Sequence, residues 1–476
     1  MRNNIIMNVA QRHFVPLARR RERAGERETA MANRRIQYLW QRFAMTVGLG
    51  LSLLAASVSA FATPQIQHWR MDNGTRVYFV ENHDLPLLDV NIDFAAGSSR
   101  DAPEKAGQSA LVRHLLAMGA GGLNEDDISK RMADIGAVLG GNFDLDRAGV
   151  SLRTLSYARE RGQALDVMAR VVRQPEFPEA VLRREKNRTI AGLKEAETQP
   201  DYLADKAFSA MLYGRHPYAR EADVASVSAL TRADLLDFYR TWYRSDNAVL
   251  SIVGDVTLPE AKVIATQLTA GLPRGESEVE PLPPVSLPTK AQTRRITHPA
   301  TQSHILMGAP GMKRVDPDYF PLYVGNYILG GGGFDSRLLE EVRQKRGLAY
   351  SAHSHFTPLM QEGPFQIGLQ TRRDQADQAL AVVRETLAKF VAEGTTEIEL
   401  KQAKDNLIGG FPLRIDSNRK IFDYLGVIGF YRLPLTYLDD FSAKIEKVTI
   451  ADIKDAFARR VKPEIMATVI VAADEK

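Results

Sequence analysis

The sequence contains no cysteine among its 476 residues. Disulfide bonds and cysteine nucleophiles are therefore excluded, although a chain without cysteine is also compatible with export from the cell. A second absence concerns the glycine run at residues 330–333, which lacks the Lys and Ser or Thr of a phosphate-binding loop. A nucleotide site of that type is excluded, because the loop needs its lysine to hold the phosphates.

Histidine pairs at helical spacing are also missing. None of the nine histidines forms an H-x-x-E-H or H-x-x-x-H pair. Two imidazoles four residues apart on a helix can share a zinc ion, so a helical zinc pair is excluded. His353 and His355 lie two residues apart, which places them on one face of a predicted strand. We interpret them as ordinary strand positions rather than metal ligands.

Positive charge is concentrated at the N-terminus. Residues 1–62 contain ten arginines and three glutamates, a net charge of +7, whereas the whole chain carries +4. The remainder of the chain therefore carries about −3. No nucleic-acid partner is expected, because the basic balance belongs to a segment that we expect to be removed.

That segment has the pattern of a secretory signal peptide. Arg34, Arg35 and Arg42 precede an apolar run at residues 43–58, and the run ends in the small-x-small site Ala60-Phe61-Ala62. The run is short for a membrane span, so it predicts export to the periplasm. An uncleaved membrane anchor is the alternative. Met31 stands where a signal peptide normally begins, which suggests that the first 30 residues are an over-long start.

Two segments of the chain repeat each other without a gap. Residues 231–256 read TRADLLDFYRTWYRSDNAVLSIVGDV, and residues 449–474 read TIADIKDAFARRVKPEIMATVIVAAD, 218 positions later. Each predicts a Thr N-cap, an amphipathic helix and an apolar strand. A period of this length predicts a duplicated domain rather than a solenoid. The proline-rich residues 280–289 between the copies predict an extended linker.

The expected fold class is α+β, with two homologous domains that each form a mostly antiparallel sheet with helices packed on one face. The predicted organisation has four parts. They are the N-terminal extension and signal peptide at residues 1–62, a first domain at 63–278, the linker at 279–292 and a second domain at 293–476.

Residues 94–123, FAAGSSRDAPEKAGQSALVRHLLAMGAGGL, carry the most specific pattern of the chain. Gly97, Ser98, Asp101, Gly107 and His114 fix a frame that resembles the zinc-helix region of the pitrilysin-type (insulinase-like) metallopeptidases. That family carries H-x-x-E-H in this helix and adds a third zinc ligand, a glutamate, about 75 residues later. The resemblance implies a clamshell of two domains around an inner chamber.

The zinc chemistry is missing from that frame. By the resemblance, Ala110 replaces the first histidine, Arg113 replaces the general-base glutamate, and Gly192 stands at the third ligand position. Only His114 remains, and we interpret it as a structural helix residue. One imidazole cannot hold zinc, and a guanidinium is too basic to act as a general base. The neighbouring Glu195 and Glu197 leave a shifted third ligand open, but Ala110 alone removes the site.

A second family feature is present. Arg343 and Tyr350, seven residues apart, resemble the Arg and Tyr pair of the family's second domain. The resemblance implies that the arginine holds a substrate carbonyl while the tyrosine donates a hydrogen bond to the developing oxyanion.

Two glycine pairs complete the candidate substrate-binding residues. The resemblance implies that residues 138–143, which contain Gly140 and Gly141, form an edge strand onto which a peptide backbone is added, with a simple turn as the alternative. Gly331 and Gly332 complete the set, although their simplest role is a flexible lead into a helix at 336–344.

These observations lead to a principal hypothesis. The chain resembles the heterodimeric bacterial members of the family, in which one subunit carries H-x-x-E-H and the other carries the Arg and Tyr. The resemblance implies that it is the non-zinc subunit of a heterodimeric periplasmic metallopeptidase that acts on peptides or unfolded proteins. It needs no cofactor of its own, because a homologous H-x-x-E-H partner supplies the zinc. We expect no proteolysis from the isolated chain. The alternative is an inert structural homologue; an independently active zinc peptidase requires ligands that the sequence lacks.

Overall fold

The computed structural model describes residues 63–275 and 279–473, so the predicted signal peptide lies outside the described residues. The strands are β1 (Gln67–Arg70), β2 (Arg76–Glu81), β3 (Leu87–Phe94), β4 (Gly119–Ala120), β5 (Leu123–Asn124), β6 (Val138–Gly140), β7 (Ala148–Leu155), β8 (Ala248–Gly254), β9 (Gln292–Thr297), β10 (Gln302–Met312), β11 (Ala349–Phe356), β12 (Gly363–Arg372) and β13 (Ala467–Ala472).

The helices of the first half are α1 (Gln108–Leu115), α2 (Glu125–Ala133), α3 (Ala158–Arg173), α4 (Glu179–Ala196), α5 (Pro200–Tyr213), α6 (Val224–Ala229), α7 (Arg232–Trp242) and α8 (Leu258–Thr269). Those of the second half are α9 (Tyr319–Asn326), α10 (Arg337–Leu339, continued by the wide turn Glu340–Gln344), α11 (Ala376–Glu393), α12 (Glu397–Gly409), α13 (Asn418–Phe430), α14 (Tyr437–Lys447) and α15 (Ile450–Arg460).

The two halves build their sheets in the same order. The first sheet runs β1-β2-β8-β3-β7-β6, and the second runs β9-β13-β10-β12-β11, which matches the first without β1. Each contains one parallel pair, β2 with β8 and β9 with β13, in an otherwise antiparallel ladder. The predicted α+β fold of two homologous halves is confirmed. By this match, the edge strands β6 and β11 occupy equivalent positions.

The sequence repeat reappears as structure. Helices α7 and α15 begin 218 positions apart and end 218 positions apart. Thr231 and Thr449 cap them, and Asp234 and Asp452 complete the two capping boxes, which satisfies backbone N–H groups that a helix start leaves unpaired. The predicted threonine caps are therefore confirmed.

Both faces of the first sheet are buried, because its strands alternate apolar side chains toward two different cores. Val77, Phe79, Leu250 and Ile252 point into the core formed with the helices of the first half. Their neighbours in the same strands, such as Tyr78 and Val249, point into the core of the second half. Burial on both faces explains why β8 has no exposed residue.

Each half contributes one helix that packs on the sheet of the other half. Helix α13 of the second half packs on β8, β3 and β2, where a Cβ at Gly429 would lie 2.8 Å from both the Tyr78 ring and Val249. Helix α5 of the first half packs on β13 and β10, where Phe208 meets Gly308. The two helices start 218 positions apart, so the exchange is reciprocal. Each sheet is thus covered by its own helices on one face and by the partner half's helix on the other.

Buried hydrogen bonds close the seam between the halves. The carboxylate of Asp146, which is 1% exposed, accepts from Tyr218 Oη (2.6 Å), Tyr431 Oη (3.0 Å) and the backbone N–H of Met360 (2.7 Å). Tyr431 of the second half thus donates to the first half. Tyr213 of the first half, 218 positions before Tyr431, donates to the backbone carbonyl of Glu362 in the second half (3.2 Å). Residues from Thr63 onward form one compact unit, and the predicted domain boundaries stay a prediction.

The proline-rich linker is held against the protein. The side chain of Arg100 stacks over the Trp242 ring at 4.7 Å and donates to the Glu280 carbonyl (2.8 Å). Nε2 of His216 bonds the Pro283 carbonyl at 2.9 Å, and Leu282 is buried. These contacts border a cavity of about 710 Å³. Within the described ranges, no helix combines the length and apolar character needed to cross a bilayer.

Candidate functional site

The helix that carries the degenerate motif is fixed at its start by a buried carboxylate. Asp101 accepts the backbone N–H groups of Gly107 (2.8 Å) and Ser109 (2.7 Å). Burial raises the pKa of Asp101 to about 6 against the effect of these bonds. Helix α1 consequently begins at Gln108 and ends at Leu115.

The helical periodicity divides the α1 side chains into a buried set and a set that keeps exposed surface. Leu111, Val112 and Leu115 are buried in the first core, while Ala110, Arg113 and His114 retain exposed surface. The three motif positions therefore occupy the outward side of the helix, where a metal-binding helix would present its ligands.

His114 contacts a carboxylate that the sequence analysis did not single out. Its Nε2 lies 3.1 Å from Oε2 of Glu185, which projects from helix α4 and is almost fully buried. Gly192, at the expected third ligand position, has no side chain and lies seven residues further along the same helix. Glu185 lies 71 residues after His114, whereas the family resemblance placed the third ligand at Gly192 and so did not identify Glu185.

These residues do not fit zinc. Glu185 is occupied by cations, with Arg184 Nε at 2.6 Å and Arg188 at 3.2 Å in addition to His114. A structural or catalytic zinc site needs at least three protein ligands, and this one offers one imidazole and one engaged carboxylate. No group of three His, Cys, Asp or Glu residues suited to a metal exists in the described parts of the chain.

The Glu185 cluster has a testable effect on stability. Burial raises the pKa of Glu185, but the bonds from Arg184, His114 and Arg188 outweigh it and lower the pKa to about 2. A carboxyl whose pKa falls on folding contributes stability above its unfolded value, and the contribution disappears as pH falls through the folded value. Glu185→Gln is expected to lower the free energy of unfolding by about 3 kcal/mol at pH 7.

Urea unfolding of wild type and variant between pH 7 and pH 3 measures this difference, which should narrow below pH 4.5. Glu179→Gln, an exposed change on the same helix, is the control and should have little effect. A difference independent of pH would show that packing, not the charge of Glu185, stabilises this contact.

Arg113 turns away from the Glu185 cluster. Its guanidinium lies against Gly141, which follows edge strand β6 and has φ +147°, a backbone conformation that favours glycine. Strand β6 is three residues long, and Val138 is 62% exposed. The residue at the general-base position and the glycine pair Gly140-Gly141 are thus brought together at one edge of the first sheet.

Arg343 and Tyr350 meet at the equivalent edge of the second sheet. The guanidinium of Arg343 lies 4.8 Å from the Tyr350 ring centroid and 5.3 Å from that of Phe334. Tyr350 belongs to β11 and is 81% exposed. No hydrogen bond or ion pair joins these side chains to α1 among the residues that the structure describes. The pair and the degenerate motif are therefore two separate groups.

The second glycine pair has a packing role. Gly331 and Gly332 end a wide helical turn, and a Cβ at Gly332 would lie 2.7 Å from the Tyr327 carbonyl. The substrate-binding role of this pair stays a prediction. On the neighbouring strand, the rings of His353 and His355 stack with centroids 5.9 Å apart, which confirms that they share one face of β11.

The architecture and the degenerate motif define a metallopeptidase-like fold whose zinc helix lacks two of the family's three motif residues. The family model described as Insulinase (Peptidase family M16) matches residues 76–222, and the model described as Peptidase M16 inactive domain matches residues 229–407. A crystal structure of a peptidase M16 inactive domain from Pseudomonas fluorescens is 36% identical, covers 86% of this chain and 98% of its own, and has a TM-score of 0.83.

This chain belongs to the M16 peptidase family. The Non-peptidase homolog YmxG of Helicobacter pylori is 25% identical over 443 residues, which cover 92% of this chain and 99% of that protein. The periplasmic protease PqqL from Escherichia coli shares the fold, with a TM-score of 0.74 at 14% identity over 86% of this chain and 46% of its own. The resemblance predicted from residues 94–123 is confirmed.

Proposed function

We propose that this chain is the non-zinc subunit of a heterodimeric, periplasmic zinc metallopeptidase. A homologous subunit with an intact H-x-x-E-H helix contributes the zinc and the general base. This chain contributes the Arg343 and Tyr350 pair, peptide-binding surface at its sheet edges and half of the chamber. The observation that carries the proposal is the Arg343–Tyr350 pair, in which Arg343 of the turn after α10 lies over Tyr350 of the edge strand β11.

The pair has the chemistry that an acyl-transfer site needs from its second component. A guanidinium donates hydrogen bonds to a carbonyl oxygen, and a phenol donates one to the oxyanion that develops on it. Stacking of the Arg343 guanidinium on the Tyr350 ring at 4.8 Å fixes the orientation of both groups before substrate arrives. A large aromatic side chain at 81% exposure is also suited to contact another molecule.

The edge strands supply a way to hold the substrate. In the part of the chain that the structure describes, the backbone groups on the open side of β6 have no neighbouring strand, because β6 ends the ladder. An extended peptide can add to such an edge through main-chain hydrogen bonds, which tolerate many side-chain sequences. Gly140 and Gly141 allow close approach of that backbone. This supports peptides or unfolded proteins as the substrate class.

Export supports the periplasmic location in this proposal. The arginine-flanked apolar run before Ala62 has the order of a secretory signal, and the absence of cysteine is compatible with life outside the cytoplasm. The fold of the E. coli periplasmic protease is a further point of support.

An inert structural homologue is the second candidate. The name of the H. pylori relative, a non-peptidase homolog, favours it, as does the conversion of the zinc helix into an ion-pair cluster around Glu185. A scaffold has no need of the Arg343 and Tyr350 pair, which favours the first proposal.

Purification with and without the homologous H-x-x-E-H subunit of the same organism tests the proposal. The isolated chain is expected to hold no stoichiometric zinc and to cleave no peptide, whereas the complex should hold one zinc per pair and cleave an unfolded substrate. Atomic absorption and a fluorogenic peptide assay measure both quantities. Stoichiometric zinc in the isolated chain, or a complex no more active than the H-x-x-E-H subunit alone, would reject the proposal.

A further inference from the structure

The guanidinium of Arg113 is half-buried without an ionic partner. Its Nε is shielded from solvent and makes no hydrogen bond, and no carboxylate oxygen lies within 4.0 Å of the side chain among the described residues. Burial lowers the pKa of Arg113, as expected where a cation loses solvent without gaining a counter-ion. Charges in such positions are normally paired, so an unpaired one calls for an explanation.

The nearest acidic group is engaged elsewhere. Asp93 is fully buried and lies 3.5 Å from Nη1 of Arg147. Burial raises the pKa of Asp93 to about 6, which weakens it as a permanent counter-charge for Arg113. Tyr243, which also faces Arg113, keeps its buried hydroxyl without a hydrogen-bond partner. The protein thus leaves a positive charge at this point that its own groups compensate only in part.

The position of this charge is specific. Arg113 lies against Gly141, immediately after the open edge of β6. Val138 and Phe143 flank the glycine pair with exposed apolar surface. On the other side of α1, the carboxylates of Glu185 and Glu125 are engaged by Arg184 and Arg188, so neither pairs with Arg113. A peptide lying on β6 would meet a guanidinium at the end of the strand that forms no ion pair with any described residue.

We propose that the degenerate zinc helix is a carboxylate-recognition site, in which the Arg113 guanidinium binds a carboxylate of a peptide held along β6. The carboxylate is either the peptide's C-terminus or an Asp or Glu side chain. This inference deepens the proposed peptide binding and rests on it. Arginine suits the role because its planar fork donates two parallel hydrogen bonds to a carboxylate.

Fluorescence polarisation with the purified full chain tests the inference without the partner subunit. Three N-terminally labelled decapeptides of alternating valine and serine serve as probes. The first has a free C-terminus, the second a C-terminal amide, and the third an amide with one internal aspartate. Wild type is compared with Arg113→Met, Arg113→Lys and the control Arg131→Met, which removes an exposed guanidinium on α2.

Wild type and Arg131→Met are expected to bind one or both carboxylate peptides about tenfold more tightly than the plain amide. Which peptide gains identifies the source of the carboxylate. Arg113→Met should remove the preference while leaving the affinity for the amide unchanged, and Arg113→Lys should retain part of it. Retention of the amide affinity also shows that the Met variant is folded.

Two results overturn the inference. Equal binding of all three peptides by wild type would reject carboxylate recognition alone and leave the peptide-binding proposal in place. Failure of every peptide to bind would reject this inference together with peptide binding by β6. If Arg113→Met does not fold, the relative affinity of the wild-type chain for the three peptides still tests whether it recognises a carboxylate.

Discussion

Tyr350→Phe is expected to lower the turnover of the assembled two-subunit peptidase by about 10²-fold, the usual effect of one lost oxyanion donor. The change removes a single hydroxyl and keeps the ring that stacks against Arg343 at 4.8 Å. A hydrogen bond made only in the transition state affects kcat and kcat/KM together and leaves KM nearly constant. Steady-state kinetics on a fluorogenic peptide separate these parameters.

Tyr157→Phe is the matched control, because Tyr157 is another exposed tyrosine, at 59%, and precedes helix α3 in the first half. Its turnover should equal that of wild type. Normal assembly and zinc content of the Tyr350→Phe complex must be verified alongside. Unchanged kcat in a correctly assembled complex would remove the assigned role of Tyr350, and the inert scaffold would become the better explanation.

Asp146→Ala is expected to lower the free energy of unfolding by about 4 kcal/mol. The carboxylate accepts three hydrogen bonds at the seam between the halves, and its loss leaves the hydroxyls of Tyr218 and Tyr431 and the Met360 N–H without an acceptor. Each buried donor that is left without an acceptor costs about 1–3 kcal/mol of folding free energy. Urea unfolding followed by circular dichroism measures the change.

Asp146→Asn keeps one acceptor oxygen and should lose about half as much. The control is Asp237→Ala, which removes an exposed carboxylate from α7 and should change stability by less than about 0.5 kcal/mol. If Asp146→Ala were as stable as wild type, the seam would be held by apolar packing, and the buried hydrogen bonds would contribute little.

Local signals predicted a large part of this fold. Thr231 and Thr449 predicted two equivalent helices, because an N-cap depends only on residues within a few positions of the helix start. The loss of the metal site was visible at Ala110, since a methyl group cannot ligate zinc whatever surrounds it. The edge position of Gly140 followed from the family resemblance, and the order of the sheet agrees with it.

Contacts between distant parts of the chain escaped prediction. The partner of His114 is Glu185, 71 residues later, and only the relative rotation of α1 and α4 decides which carboxylate of α4 reaches it. The same limit applies to α5 and α13. Their apolar faces predict burial, but an amphipathic pattern does not specify which of two equivalent sheets a helix will cover.

The reciprocal placement of α5 and α13 has a consequence for each copy of the repeat. One copy of the repeat on its own would leave an apolar sheet face uncovered and a helix without a surface to pack on. Two identical copies, each lending its helix to the other, satisfy both needs through a twofold arrangement. The exchange of α5 and α13 is the arrangement that a homodimer of one copy would need, and the proline-rich segment here joins the two copies within one chain.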